Sequence, residues 1–315
     1  MSMPPMLKDL RLPAIAAPMF LVSGDKMVIE TCKAGMVGTF PALNLRSTEQ
    51  FRQWVVEIKA ALAEFEKTTG KKAAPFGVNL IVHKSNPRLE ADLAVCVQEK
   101  VPIIITSLGA VAELVQNVHA YGGVVFHDVT TLRHAQKAAG AGVDGLIAVC
   151  AGAGGHAGRI NPFALVGQIR QFFDRTLILA GALSQGHDVF AAQVMGADLA
   201  YMGTRFIATT ESQAQPEYKQ MILDCEAEDI IYTPAVSGVP ASFMKASLEK
   251  AGFKDFDSKG SVDFGHKLTL DDEAKAWKNI WSAGQGVSNI KDVPSVAALV
   301  DRLDREYQAA RTTWR

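Results

Sequence analysis

One histidine stands among four glycines in the stretch Ala151-Gly152-Ala153-Gly154-Gly155-His156-Ala157-Gly158. Glycines let a ligand lie close to backbone, and His156 is the only titratable side chain there. An imidazole is suited to accept a proton near neutral pH, so His156 is a candidate general base. Two other stretches are built for an anion. Gly181-Ala182 and Gly203-Thr204 follow apolar runs, and small residues there let backbone N–H groups approach a phosphate, with the Thr204 hydroxyl beside them. Pro18 fixes the backbone ahead of Met19, which could press against an aromatic ring. Asn79 ends another apolar run and can both donate and accept toward a heterocycle; a turn asparagine is the competing reading. Gln285, between Gly284 and Gly286, could reach a heterocycle or belong to an ordinary loop. His83, His119, His134, His187 and His266 lack such context and read as ordinary surface histidines, with His127 undecided.

These positions fall at the ends of recurring elements. Eight short apolar runs are spaced along the chain: 14–18, 36–40, 76–81, 103–107, 124–128, 145–150, 177–182 and 199–204. Their length and their Gly and Pro boundaries suit buried parallel strands. Helical spacing fills the intervals, as in Glu49 to Lys67 with Trp54, Ile58 and Leu62 on one face. Eight alternations predict an α/β protein of the (β/α)8 TIM-barrel class, whose sites form where strands pass into their following loops. An open doubly wound sheet is the competitor, but no Gly-x-Gly-x-x-Gly opens the first helix. Residues 135–147 and 191–202 echo each other as helix end, Gly, Asp and strand, which supports βα repetition. After about Glu211 the rhythm changes, and 255–265 reads as a loop. The division expected is a barrel of residues 1–211 and 288–315, interrupted by a helical substrate or lid domain of residues 212–287.

Composition narrows the function classes. The 315 residues carry a formal net charge of −1, which argues against a main role in gripping nucleic acid. No run approaches the apolar length needed to span a bilayer, and the N-terminal stretch lacks an export pattern. The four scattered cysteines form no Cys-x-x-Cys pair, so neither a zinc site nor a disulfide framework is expected. Cytoplasmic location is the expectation, with a small-molecule substrate, no membrane or nucleic-acid partner, and a homodimer left open.

Taken in order, Ala-Ala-Pro-Met at 16–19, Gly-Val-Asn at 77–79, Gly-Gly-His-x-Gly at 154–158, Gly-Ala-Asp at 196–198, Met-Gly-Thr-Arg-Phe at 202–206 and Trp-Ser-Ala-Gly-Gln-Gly at 281–286 resemble the nitronate monooxygenase family. The resemblance implies an FMN-dependent barrel that oxidises alkyl nitronates with O2 to carbonyl compounds and nitrite. It implies that Gly181, Ala182, Gly203 and Thr204 hold the FMN phosphate. It places Pro18, Met19, Asn79, Gly154 and Gln285 near the ring, and makes His156 the catalytic base or orienter. Three positions depart from the family pattern. Asp128 stands where some relatives have Lys after the His of strand five, so a carboxylate replaces a cation at an expected cofactor position. Val149 replaces a Gln, and Ala182 a second Gly. An FMN-dependent NAD(P)H:quinone or enoyl-thioester reductase on the same barrel is the alternative. A flavin-free enzyme of phosphorylated metabolites and a non-enzymatic binding barrel are the other rivals.

Overall fold

A computed structural model describes residues 3–83, 85–109, 112–236, 238–256 and 280–314. His266 and most of the expected loop 255–265 lie outside the described residues.

Eight parallel strands close into a barrel: β1 (Ala14–Ala16), β2 (Val37–Pro41), β3 (Phe76–Ile81), β4 (Ile103–Ser107), β5 (Val124–Val129), β6 (Gly145–Val149), β7 (Thr176–Ala180) and β8 (Leu199–Met202). Closure is by β1 on β8, with Ile15 opposite Tyr201. Each expected apolar run contains one strand, with ends displaced by one or two residues. Pro18 and Gly203 fall just outside their strands; Pro18 has no N–H to give a ladder there.

Strand side chains alternate between two cores. Ile15, Val37, Ile103, Ile105, Val124, Phe126, Ile147, Ile178 and Leu199 fill the barrel interior, with Leu7 packed among them. Alternate residues such as Val78, Ile104, Val125, Leu146 and Leu177 face outward under the helices. The helix Thr48–Thr69 shows how that layer forms. Ser47 caps its start by accepting from Gln50 N–H, and Gly70 ends it in the left-handed conformation at φ 68°. Its buried stripe is Phe51, Val55, Ile58 and Leu62. Trp54, expected on that stripe, lies at its edge against Phe40.

The echoed segments are structural. Asp144 Oδ2 accepts the Val125 N–H at 2.8 Å, and Asp198 Oδ2 accepts the Leu177 N–H at 2.8 Å. Arg170 holds Asp198 at 2.6 Å. Each aspartate thus occupies the donor at the start of the preceding strand, fastening consecutive βα units together.

The segment after β8 was expected to be helical and is instead mixed. It carries the helices Pro216–Asp224 and Lys245–Lys250 and an antiparallel hairpin, β9 (Ile230–Thr233) and β10 (Ala241–Met244). The hairpin is extended by a two-residue strand, Gly155–His156, whose His156 is opposite Ala241. These strands gain their pairing from the loop after β6, a contact distant in sequence. The helix Val296–Thr313 then packs beside β1 and β8 through Val296, Leu299, Val300 and Leu303.

Candidate functional site

The period of two along each strand determines what reaches the mouth of the barrel. Continuing inward positions past Gly77, Ile105, Phe126 and Leu199 gives Asn79, Ser107, Asp128 and Tyr201. All four line a cleft of about 400 Å³ above the apolar interior. A polar layer at the top of an apolar barrel is therefore a consequence of four strand registers.

That layer is ordered by hydrogen bonds. Asn79 Nδ2 donates to the Ile105 carbonyl at 3.3 Å and to Ser107 Oγ at 2.8 Å. The carbonyl can only accept, which fixes the amide with its oxygen toward the remaining space. Ser107 Oγ donates to Asp128 Oδ2 at 2.7 Å. Asp128 Oδ1 and the Tyr201 hydroxyl are buried and have no hydrogen-bond partner among the described residues. Burial pushes the Asp128 carboxyl up to about 6, with the Ser107 bond opposing that rise. Burial first, and then the Asp128 charge, raise the Tyr201 phenol well above its ordinary value.

His127 lies on the opposite side of β5, bonded to Thr106 Oγ1 at 2.7 Å. Burial, with His134 and Lys137 adding to it, lowers its pKa to about 4. It belongs to the layer beneath the helices and takes no part in the cleft.

His156 lines the same cleft from above. Its loop is folded by its own backbone: Ala151 N–H donates to Ile160 O, Ala153 N–H to Cys150 O, and Gly158 N–H to Val149 O. Gly152 at φ 88° and Gly155 at φ 65° adopt left-handed turns suited to glycine. A Cβ on Gly154 would stand 2.9 Å from both Ala283 C and Gly284 N, so the 281–286 segment rests directly on this loop. Tyr232 of β9 donates to the Ala157 carbonyl at 2.9 Å and pins the loop from the other side. His156 is exposed to the cleft, yet the loop, hairpin and barrel rim surround it. Desolvation by that protein lowers its pKa from 6.5, keeping the ring neutral at neutral pH.

Pro18, Met19, Gly181, Ala182, Gly203 and Thr204 all line the cleft. A Cβ on Gly203 would meet Ala17 and Met19 at 3.7 Å, an ordinary contact that leaves room for it. Ala182 takes φ 56°, a left-handed conformation that ordinarily favours glycine. The Thr204 hydroxyl accepts the Gly284 N–H at 2.9 Å and helps position the 281–286 segment. Gln285, expected near the ring, sits beside the cleft-lining Gly152, whose added Cβ would stand 3.2 Å from Gln285 Oε1. Gln285 is exposed and not part of the lining, while its N–H donates to Gly152 O at 2.9 Å.

Ser107, Tyr201, Tyr218 and Trp281 are lining residues that sequence reasoning did not single out as site residues. Counting by two from the interior would have found the first two. Tyr218 and Trp281 stack with ring centroids 5.1 Å apart and planes 6° from parallel, forming a flat aromatic wall. Nothing local in sequence pairs residues so far apart. Among the described residues, the lining contains no Lys or Arg, and no group of three His, Cys, Asp or Glu residues could hold a metal. No described helix is long and apolar enough to cross a membrane.

A family model described as nitronate monooxygenase matches residues 88–306. A curated nitronate monooxygenase of Paraburkholderia phytofirmans is 26% identical, with 94% of this chain and 92% of that protein covered. A Rhodococcus jostii protein named (3aS,4S,5R,7aS)-5-hydroxy-7a-methyl-1-oxo-octahydro-1H-indene-4-carboxyl-CoA dehydrogenase is 28% identical over 75% of this chain. The match spans 63% of that relative's length, and 64% of its Mycobacterium tuberculosis counterpart. Among solved structures, nitroalkane oxidase from Streptomyces ansochromogenes superposes with a TM-score of 0.82 at 25% identity, covering 98% of this chain and 99% of that one. FabK from Thermotoga maritima shares the fold, with a TM-score of 0.80 at 23% identity over 98% and 96%.

Proposed function

The chain belongs to the nitronate monooxygenase family of oxidoreductases, and from that premise we propose that it is an FMN-dependent enzyme oxidising alkyl nitronates, and nitroalkanes after deprotonation, with O2 to carbonyl compounds and nitrite. One observation carries the reading: His156 lines one cleft with a floor of orphaned polar atoms.

The residues fit a flavin. Asp128 Oδ1 and the Tyr201 hydroxyl await partners at the floor, and Asn79 presents its amide oxygen beside them. A heterocycle carrying both N–H and C=O groups satisfies such a set. Gly181, Gly203 and Thr204 would hold the phosphate through backbone N–H groups, with Ala182 beside them, its own N–H donating to Gly152 O at 3.2 Å, and the Thr204 hydroxyl keeping its place on Gly284. Pro18, Met19 and Gly154 would bound the space left for the ring, with Gln285 beside it on Gly152. When bound, FMN supplies the redox chemistry.

The chain's own groups handle substrate and proton. His156 Nε2 or Nδ1 accepts the α-proton of a neutral nitroalkane, or orients a nitronate already formed by hydrogen bonding. Its neutrality at neutral pH suits the first role, since a protonated ring has no acceptor left. Tyr218 and Trp281 exclude water along one wall, and Leu21 and Ile207 add apolar surface for an alkyl chain. Small substrate and O2 are the only partners this requires. The barrel with a capping segment of 212–287 is the domain division that goes with it.

The named activity of the Rhodococcus jostii relative favours a second reading, oxidoreduction of a thioester substrate on the same barrel. Anaerobic mixing separates the two. Flavin bleaching by an alkyl nitronate, with none by NAD(P)H, is expected; bleaching by NAD(P)H alone would overturn the nitronate reading.

A further inference from the structure

The floor of the cleft carries one carboxylate and, among the described lining residues, no cation. Its hydrogen bonds run one way. Asn79 Nδ2 donates to Ser107 Oγ, and Ser107 Oγ donates to Asp128 Oδ2. Oδ2 is therefore committed as an acceptor, and a proton on this carboxyl belongs on Oδ1. Oδ1 is the buried oxygen with no partner among the described residues, and the residue that carries it lines the cleft. A ring that gains two electrons there gains negative charge. An ionised Asp128 beside it would be a like charge in a partly desolvated site, and no Lys or Arg of the described lining offsets it.

We infer that Asp128 is a redox-linked proton acceptor: two-electron reduction of the bound flavin draws one proton from water onto Asp128 Oδ1, and reoxidation releases it. The inference rests on the flavin-binding part of the function proposed above. Its balance is two electrons and one proton to the ring, from the reductant and solvent, and a second proton forming the O–H bond at Oδ1. No other bond in the protein forms or breaks.

The groups facing Asp128 are few. Tyr201 of β8 is close enough for its charge interaction with Asp128 to be felt, and the other titratable groups of the described lining are His156 from the loop after β6 and Tyr218 from Pro216–Asp224. The neighbouring strands β4 and β6 contribute Ser107 and Val149, which do not titrate in this range. His127 faces away from the cleft onto Thr106. Tyr201 and Tyr218 are raised phenols that stay protonated, so His156 is the one competing acceptor. The upward displacement of the Asp128 carboxyl by burial has the direction proton uptake requires.

The test is the midpoint potential of the flavin-loaded protein between about pH 6.5 and pH 8. For a two-electron couple each linked proton moves the potential by about 30 mV per pH unit. Wild type and His156→Asn are expected to show about twice that slope, two protons, and Asp128→Asn the single-proton slope. Equal slopes in wild type and Asp128→Asn, or loss of the second proton in His156→Asn instead, would overturn the inference. If Asp128→Asn does not retain flavin, two measurements on wild type decide. One counts protons taken up on reduction in weakly buffered solution with an indicator dye. The other looks in a redox-difference infrared spectrum for a protonated carboxyl C=O band formed on reduction. One proton and no such band overturn the inference while leaving flavin binding intact. A purified protein that binds no flavin overturns the functional reading and this inference together.

Discussion

Replacing Asp128 by Asn should stabilise the flavin-free protein, and only above acid pH. In the folded chain burial raises this carboxyl from 3.8 to about 6. A tenfold change in proton affinity corresponds to about 1.4 kcal/mol, so a rise of this size, fully expressed, destabilises the fold by about 3 kcal/mol when Asp128 is ionised. Asp128 borders an open cleft, and water reaching it screens part of that penalty, so about 1.5–3 kcal/mol is the expected range. The sign follows from proton binding. Between the unfolded and folded values the folded state binds more protons, so stability falls as pH rises through that window. The loss is absent below about pH 4, about half developed near pH 5, and complete above about pH 7.

Asn keeps the acceptor for Ser107 Oγ and cannot ionise. The difference between Asp128→Asn and wild type should therefore grow from near zero at about pH 4 to its full value at about pH 8. Urea unfolding of both proteins at several pH values measures this, with the slope on denaturant checked for constancy. Using flavin-free protein keeps ligand linkage out of the comparison. A difference that is independent of pH, or largest at the acid end, would refute the assignment of Asp128 as a desolvated carboxylate.

Four further variants have expected outcomes. With His156 as base, turnover of neutral nitroalkanes falls as pH drops through a value below 6.5. Turnover of preformed nitronates stays level, and His156→Asn lowers nitroalkane kcat/KM by about 10²–10⁴-fold; matching profiles for the two substrates would remove the base role. Ala182→Gly relieves a left-handed alanine at φ 56° and should raise unfolding stability by about 1 kcal/mol, which denaturant titration would contradict by showing a loss. Gly154→Ala drives a Cβ to 2.9 Å from the 283–284 backbone and should destabilise by about 1–3 kcal/mol. Gly203→Ala enters the cleft with no contact closer than 3.7 Å, so stability should hold within about 0.5 kcal/mol while flavin retention weakens. Equal effects of these two alanines on stability would show that Gly203 is structural.

The barrel was legible because its signal is local. Each strand is a short apolar run between breakers, and eight of them at regular intervals leave few architectures. The polar floor was half legible. Asn79 stood out at a strand end and Asp128 only as a departure from the family pattern, while Ser107 and Tyr201 emerge only when inward positions are counted by two from the interior. The hairpin was not legible. Ile230–Thr233 and Ala241–Met244 are four residues each, and the chain that completes their sheet is Gly155–His156. A pattern read along the sequence cannot report pairing with so distant a loop. Gln285 shows a role no residue type announces: its N–H ties the 281–286 segment to Gly152 O.

That hairpin explains why the histidine loop can be both glycine-rich and positioned. The glycines and alanines around His156 would leave an isolated loop with high conformational freedom. Pairing of His156 with Ala241, the Tyr232 bond to Ala157, and the close seat of Gly154 on Gly284 remove that freedom from outside the loop. The capping segment therefore orients the candidate base, and changes in it should alter turnover without touching the ligand. Tyr232→Phe is the sharpest case. It deletes one hydroxyl donated at 2.9 Å to the Ala157 carbonyl and keeps the ring that packs the barrel mouth. Losing one such bond costs about 1 kcal/mol, so the fold survives, but the loop gains motion. The expected result is a several-fold lower kcat on nitroalkanes with flavin retention unchanged. Undiminished turnover would mean that the glycine loop holds His156 without the cap.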